Sequence, residues 1–460
     1  MQKQEKRGQK QYDIIIAGSG PAGLIAGITA ARENASVLIL EQKPEPCKKL
    51  YATGNGRCNF TNLKMSPGVY RGGMSALAEE LTDEFDRDDL LYFFHDLGLM
   101  TRHIGDYIYP YNEQAAAVAG VLLAECKRLG IEILCNAKVV DITRNNTRAV
   151  DITHNNTRAS DITQDECGGF LVDIIHTEEP GKSGSRKKKQ PASKEETLER
   201  IRSTKVILAV GGKASPTHGS DGNLNKVIRR LGHEIVPQQP ALVPLLFADK
   251  RLSALAGVRV KCGVSLMVGK EPPISSEQGE IIFNKDNISG IPVMQLSRFA
   301  VCALAEGKRA LLELNFFCEE SEEETFALLK NAFHAWGDPY RTAVSALGFC
   351  LPAKLAEYVI TTETKQKQAS AFTDEHLRSL AQLLQHFPVE VTGNAGFNRA
   401  QVTAGGVAAD QVTDRLESVC VPGLYFAGEI LDVDGTCGGY NLHFAFASGR
   451  IAGRSAAEKL

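Results

Sequence analysis

Residues 13–41, DIIIAGSGPAGLIAGITAARENASVLILE, constrain the fold more than any other stretch of the chain. A short apolar run at 14–17 enters Gly18-x-Gly20-x-x-Gly23. A helix-like stretch follows to about Glu33, then a second apolar run at 37–40 closed by Glu41. This is a βαβ unit carrying the dinucleotide fingerprint. Gly18 permits the tight turn, Gly20 lets the backbone approach a pyrophosphate, and Gly23 lets the helix pack on the strand. The helix N-terminus then faces the phosphates. Glu41 stands 18 residues beyond Gly23, where a carboxylate can accept from both hydroxyls of an adenosine ribose and disfavours a 2′-phosphate. A bare GxGxxG is a common strand-to-helix turn. Here strand, helix, second strand and terminal acid fall in register, which favours a dinucleotide site over a structural turn.

The chain has 460 residues, long enough for about three domains or one large domain with insertions. With 52 Lys+Arg against 55 Asp+Glu, its net charge of −3 argues against bulk attraction to nucleic acid or anionic membrane. No window approaches the roughly 18 apolar residues of a membrane span, and the charged start is no signal peptide. The expectation is a cytoplasmic protein without a membrane partner. Eleven scattered cysteines contain no CxxC, so structural zinc, an iron–sulfur cluster and a redox-active disulfide lose support, and no metal site is expected.

Which dinucleotide binds is decided farther along. Residues 42–62, QKPEPCKKLYATGNGRCNFTN, follow the ribose acid and place Lys48, Lys49 and Arg57 beside Gly54 and Gly56. A surface loop is the bland reading; cations and exposed N–H groups for an anionic cofactor is the sharper one. Near the end, residues 423–449 read GLYFAGEILDVDGTCGGYNLHFAFASG. A strand runs into Gly428 and Glu429, an acidic loop holds Asp432 and Asp434, and Gly438-Gly439 open a helix from about Tyr440. A helix N-terminus aimed at the N1/C2=O edge of a flavin stabilises the negative charge of its reduced form. A nicotinamide has no use for this second contact, so FAD is the better reading than NAD. A third piece, Val206-Ile-Leu-Ala-Val-Gly-Gly212, reads as the closing strand over the dinucleotide, and Val139 lies on a strand edge suited to meeting an adenine.

Together, KKLYATGNGRCNFTN, VILAVGG followed by HGSDG, PALVPL, VTAGGVAADQV and GLYFAGEILDVDGTCGGYNL resemble the bacterial BaiN-type NAD(P)/FAD-dependent oxidoreductases, also known as the aminoacetone oxidase family of FAD-binding enzymes. The resemblance runs over residues 13–453. It implies an α/β fold with a Rossmann-like FAD-binding domain of the two-dinucleotide-binding flavoprotein type, carrying an inserted β-barrel-like plus helical domain. The segments would be 12–140, 204–236 and 391–460 for FAD, 237–390 for the insert, and 141–203 for an extended hairpin arm with a charged loop. By family position, FAD would be held by Gly18, Gly20, Ala22, Gly23, Glu41, Gln42, Lys49, Leu50, Asn55, Gly56, Arg57, Cys58, Asn59 and Val139. To these the resemblance adds Ala209, Gly211, Gly428, Glu429, Asp434, Gly438, Gly439, Asn441 and Leu442. Members include an ene-reductase of steroid intermediates and oxidases of small amines. The chain departs from the family where Asn284-Lys285 stand for a Thr-His pair, where Ile291 precedes Pro292, and where Leu224 and Asn225 replace a glycine and a tyrosine. If that Thr-His pair touches substrate, the substrate or proton donor differs here.

Within the insert, β-like runs at 242–247, 258–268, 280–283 and 310–314 surround helical stretches at about 293–306, 322–335 and 353–359. Such a module can roof a flavin and shape a substrate pocket, or serve as a structural cap. DITRNNTRAV at 141–150 recurs as DITHNNTRAS, which reads as a lengthened hairpin arm. The basic run at 186–189 reads as part of a solvated loop.

A flavin carries hydride transfer itself, and the protein supplies orientation, electrostatics and a proton source. Tyr440 and His443 start the flavin-facing helix and are the candidate proton donors, against a packing or supporting role for each. Without a second GxGxxG, NADH or NADPH would be a transient electron donor. The leading expectation is an NAD(P)H-driven reduction of an activated C=C bond in a small or steroid-like substrate. An oxygen-using amine oxidase is the second, and a flavin-bearing RNA-modifying or RNA-binding protein using 186–189 the third, although nucleic acid is not the expected partner. Oligomeric state is not readable from the chain.

Overall fold

A computed structural model describes residues 11–144, 168–176, 198–269, 272–334, 340–364, 367–458 and 460. The second and third copies of the DIT repeat and the 186–189 cluster lie outside the described residues. The chain divides into two compact units, one made of the residues up to Gln238 with Thr403–Leu460, the other Gln239–Val402.

The first unit is built on a seven-stranded sheet. Glu132–Leu134, Val37–Leu40, Gln11–Ala17 and Leu198–Leu208 lie side by side, each parallel to the next. Leu198–Leu208 is long enough to take two partners. Its first half pairs antiparallel with Phe170–His176, and its end pairs parallel with Leu424–Phe426. Ala137–Arg144 completes the sheet against Phe170–His176. The run Ile14, Ile15, Ile16 is wholly buried, as a parallel strand covered on both faces requires.

The helix Pro21–Arg32 follows the first strand, and the helix Tyr440–Glu458 packs along it. Gly449 approaches so closely that an added Cβ would lie 2.3 Å from the Ala22 carbonyl oxygen; at Gly453 the same atom would lie 2.4 Å from that of Ala26. Two backbone contacts four residues apart on both helices fix them parallel and in register. The C-terminal helix has eight more residues than the first ahead of that contact, so its N-terminus begins about 12 Å before that of the first helix along the shared direction.

In the second unit six antiparallel strands close a barrel in the order Leu245–Phe247, Asn287–Gly290, Ser275–Phe283, Arg259–Val268, Ala310–Asn315, Phe387–Asn394. Alternate residues Cys262, Val264, Leu266 and Val268 are buried, the period-2 signature of a strand with one face on a core. The helix Ile291–Ala305 packs on the barrel strands. The helices Glu322–His334, Ala343–Leu347, Ala353–Glu363 and Asp374–Gln385 form the rest. Asn284 and Lys285, the departure from the Thr-His pair, sit in a tight hairpin. There the Asn284 amide donates to Asn287 Oδ1 at 2.8 Å and the Lys285 carbonyl accepts from Ser253 Oγ at 2.7 Å.

Among the described residues no helix is long and apolar enough to cross a membrane.

Candidate functional site

The three glycines of the first turn serve different masters. A Cβ on Gly18, whose φ is +102°, would lie 2.4 Å from the Ala209 carbonyl oxygen, and one on Gly23 would lie 2.0 Å from that of Gly18. These two are glycine because the protein touches itself. Around Gly20 there is nothing within 4 Å of an added Cβ. Gly20 is the N-cap of Pro21–Arg32, has no side-chain cap, and precedes a proline. The first N–H groups of that helix therefore face open space beside a residue with no side chain, as a phosphate site requires.

Glu41 is buried at the end of the second strand. One carboxylate oxygen accepts from the Ser19 hydroxyl and backbone N–H, and the other from Lys43 N at 2.8 Å. The acid is thus held pointing back at the glycine turn by its own neighbours. Gln42 donates to the Gly219 carbonyl at 2.5 Å, joining this tip to the loop after Ala209 and Gly211. On the other side Val139 accepts from Asn223 Nδ2 at 3.1 Å.

The loop at 53–59 winds through left-handed conformations at Gly54, Asn55, Gly56 and Cys58, with φ of 54°, 55°, 86° and 56°. Lys49, in a short helix ahead of it, pairs with Glu429, and Glu429 also accepts from Thr403 N at 2.9 Å. Thr403 Oγ1 in turn accepts from Lys213 N and Ala214 N at 2.8 and 2.9 Å. Three segments far apart in sequence are tied at one point. Thr403 lay inside the VTAGG motif yet was not singled out from sequence, because a lone threonine in a glycine-rich strand end carries no signal of its own. Arg57 is spent differently: it pairs with Glu113 and stacks 4.7 Å from the Tyr109 ring centroid. Leu50 and Cys58 are buried, and burial pushes the Cys58 thiol up to about 12, so it is a packing group.

At the start of the C-terminal helix, Gly438 and Gly439 lie against Asn62 and the Thr61 backbone. Asn441 clamps the acidic loop, accepting from Gly435 N and donating to Gly435 O, both at 2.8 Å, while Leu442 packs on the core. Asp434 is buried and paired in a short ladder with Arg71. Tyr440 donates to the Lys64 carbonyl at 2.8 Å, and burial raises its pKa. His443 is wholly buried. Its Nε2 is 2.8 Å from the Phe85 carbonyl and its Nδ1 2.8 Å from Thr61 Oγ1, so Nε2 carries the proton and Nδ1 accepts from the hydroxyl. Burial lowers the pKa of this ring.

Only two buried side-chain polar atoms among the described residues lack a partner, Asn59 Oδ1 and Ser220 Oγ. One follows the left-handed loop; the other lies across from Gly211, where an added Cβ would be 2.9 Å from it. A buried polar atom without a protein partner is completed by an ordered water, an ion or a ligand. Together with the open face of Gly20 and two parallel helix N-termini staggered by about 12 Å, these two atoms fit an elongated dinucleotide that carries its charge on a central pyrophosphate and gains negative charge on a distal ring when reduced, as FAD does and a single phosphate does not.

The fold and this site define a flavoprotein of the dinucleotide-binding class. The chain matches the HI0933-like protein Rossmann domain over residues 12–166 and 162–455, and it belongs to that family of FAD-binding proteins as an FAD-dependent oxidoreductase. It is 34% identical to a 3-dehydro-bile acid delta(4,6)-reductase of Clostridium scindens, over 97% of this chain and 99% of the relative. Ribosomal RNA dihydrouridine synthases of Haemophilus influenzae and Escherichia coli are 25% and 24% identical. Each alignment covers 95% of this chain, and 97% and 96% of the relative.

Proposed function

We infer that this protein is an NAD(P)H-driven reductase of a C=C bond conjugated to a carbonyl, acting on a small steroid-like molecule. The observation that carries the reading is the end-to-end similarity to the Clostridium scindens reductase. The dihydrouridine synthases support the reaction type, since by name they too saturate a carbon–carbon double bond in a carbonyl-bearing ring.

FAD supplies hydride transfer when bound. The chain's own residues would bind and orient it. Gly20 and the N-terminus of Pro21–Arg32 take the pyrophosphate, Glu41 the ribose hydroxyls, and Asn59 and Ser220 gain partners for their buried oxygens. The positive end of the helix from Tyr440 favours negative charge beside it. We assign Tyr440 and His443 to holding that helix start, because the hydroxyl of one and both ring nitrogens of the other are bonded to protein.

Reduction of an RNA uracil is the second reading, favoured by the two synthase relatives. Purified protein should show flavin absorption, and anaerobic NADH or NADPH should bleach it promptly. Reduced protein is then offered a 3-oxo-4-ene steroid or an unmodified ribosomal RNA transcript. Return of colour with the steroid alone supports the first reading and with the transcript alone the second. Inertness to both nicotinamides with peroxide release from amines would replace them with an amine oxidase.

A further inference from the structure

A histidine, a serine and a cysteine meet in the first unit, beside the short strand Leu424–Phe426. His233 is buried, its ring edge-on to Phe426 with centroids 5.0 Å apart. Nδ1 lies 3.3 Å from the Ile228 carbonyl oxygen, which places the ring proton on Nδ1 and leaves Nε2 as an acceptor. Nε2 is 2.7 Å from Ser418 Oγ and 3.4 Å from Cys420 Sγ. Ser418 Oγ accepts from Val421 N at 2.8 Å and lies 3.6 Å from the same sulfur, which is also 3.7 Å from the Leu231 carbonyl. Cys420 is exposed to solvent. Burial lowers the His233 pKa, which favours the neutral ring with Nε2 unprotonated.

A nucleophile open to solvent, a base in reach of it and a third group orienting the base make an activated-thiol arrangement. Metal binding is not the explanation, since no group of three His, Cys, Asp or Glu among the described residues could hold an ion. We propose that Cys420 is a peroxide-reactive thiol with His233 as its base. The Ser418 hydroxyl proton passes to His233 Nε2 as Ser418 Oγ takes the proton from Sγ. The thiolate attacks one oxygen of hydrogen peroxide, and the S–O bond forms as the O–O bond breaks. The departing hydroxide takes a proton from Ser418 as Ser418 regains its own from the imidazolium, so that it leaves as water. Sulfur is oxidised by two electrons to the sulfenic acid and peroxide is reduced. Peroxide is the named oxidant and needs no other group on the protein.

Cys350 is the internal control. It is also exposed, burial of its thiol raises its pKa, and no histidine contacts it among the described residues. The full-length native protein is exposed to substoichiometric hydrogen peroxide with dimedone present, and the label is mapped by peptide mass. Cys420 should be labelled roughly ten times faster than Cys350; equal rates overturn the proposal. In His233→Phe, which keeps an apolar ring on Phe426, the Cys420 rate should fall to that of Cys350, and an unchanged rate removes His233 as the base. The native protein gives a second readout that needs no variant. Between pH 7 and 6 an unassisted thiol loses about tenfold of its thiolate, as Cys350 should, whereas the Cys420 rate should fall less. Identical slopes overturn the assignment.

Discussion

Each unit is held together internally by a different kind of contact. In the dinucleotide-binding unit backbone meets backbone: a Cβ on Gly18, Gly23, Gly439, Gly449 or Gly453 would lie 2.0 to 2.7 Å from a main-chain atom. In the barrel unit Gly290 makes such a contact and Gly348 lies 3.1 Å from the Val344 carbonyl oxygen, but Gly263, Gly279 and Gly393 meet side chains first. There Gly257, Gly269 and Gly307 have nothing within 4 Å of that position, and the core is made of alternating side chains. Side chains can repack around a lost methylene, whereas two touching backbones have no spare volume. The first unit should therefore fail sharply where the second gives way gradually.

The largest expected effect tests this directly. Gly23→Ala should cost about 3 kcal/mol or more, by overpacking against the Gly18 carbonyl and displacing the helix from the strand. Ile281→Val, wholly buried in the barrel, should cost about 1 kcal/mol. Denaturant unfolding of both variants checks the pair, and similar losses would break the contrast.

Next comes a substitution in the same turn with the opposite profile. Gly20→Ala meets open space, so its cost to the fold is an N-cap loss of about 1 kcal/mol at most. The methyl would occupy the place of the pyrophosphate, and FAD affinity should fall roughly tenfold or more. Flavin titration by fluorescence against a melting curve separates the two. A variant that binds FAD normally would mean that Gly20 does not face the cofactor.

Much of this contrast was legible in the sequence. Gly18, Gly20 and Gly23 announced strand, turn and helix because each spacing has one mechanical use, and the second strand, the closing strand at 206–208 and the helix from Tyr440 stand where the pattern put them. Four of the barrel strands were visible in part as short β-like runs at 242–247, 258–268, 280–283 and 310–314. What escaped was whatever depends on partners distant in sequence. The alternation at 387–394 contains Pro388 and reads weakly alone, yet that strand closes the barrel. Arg57 looked like a cation for the cofactor, and its pairing with Glu113, 56 residues away in sequence, could not be inferred from spacing. His443 looked reactive at a helix start; only its burial between Thr61 and Phe85 reveals a support.

Ion pairs extend the comparison by burial. Glu125, almost fully buried on the helix Ala115–Arg128, is held by Arg128 and by Arg32 of the first helix, and these bonds lower its pKa to about 2. The Glu323–Arg378 pair of the barrel unit is exposed on both sides. Glu125→Gln should cost about 2 kcal/mol at pH 7, while Glu323→Gln should be close to neutral. Because the folded-state pKa of Glu125 lies below its ordinary 4.5, its contribution is complete above that value and is lost as pH falls toward 2. The stability gap between wild type and Glu125→Gln should therefore narrow from pH 5 downward in an acid titration; a gap that stays constant would place the effect in packing rather than charge.

The smallest effect belongs to the helix Asp374–Gln385, which no sequence signal was used to find. Its Thr373 side chain accepts from His376 N at 3.3 Å while His376 Nδ1 accepts from Thr373 N at 3.3 Å, a reciprocal cap. The pattern hides because histidine stands where Glu or Gln usually completes such a box. Thr373→Ala should cost about 1 kcal/mol and Thr373→Ser only a few tenths, since serine keeps the acceptor. If the two units differ in the way argued above, this loss stays local. Hydrogen exchange should quicken across 374–385 in Thr373→Ala while the amides of Gln11–Ala17 keep their protection. Equal quickening in both places would show one cooperative body, and the contrast between self-touching backbone and repackable side chains would then not set the stability of each unit separately.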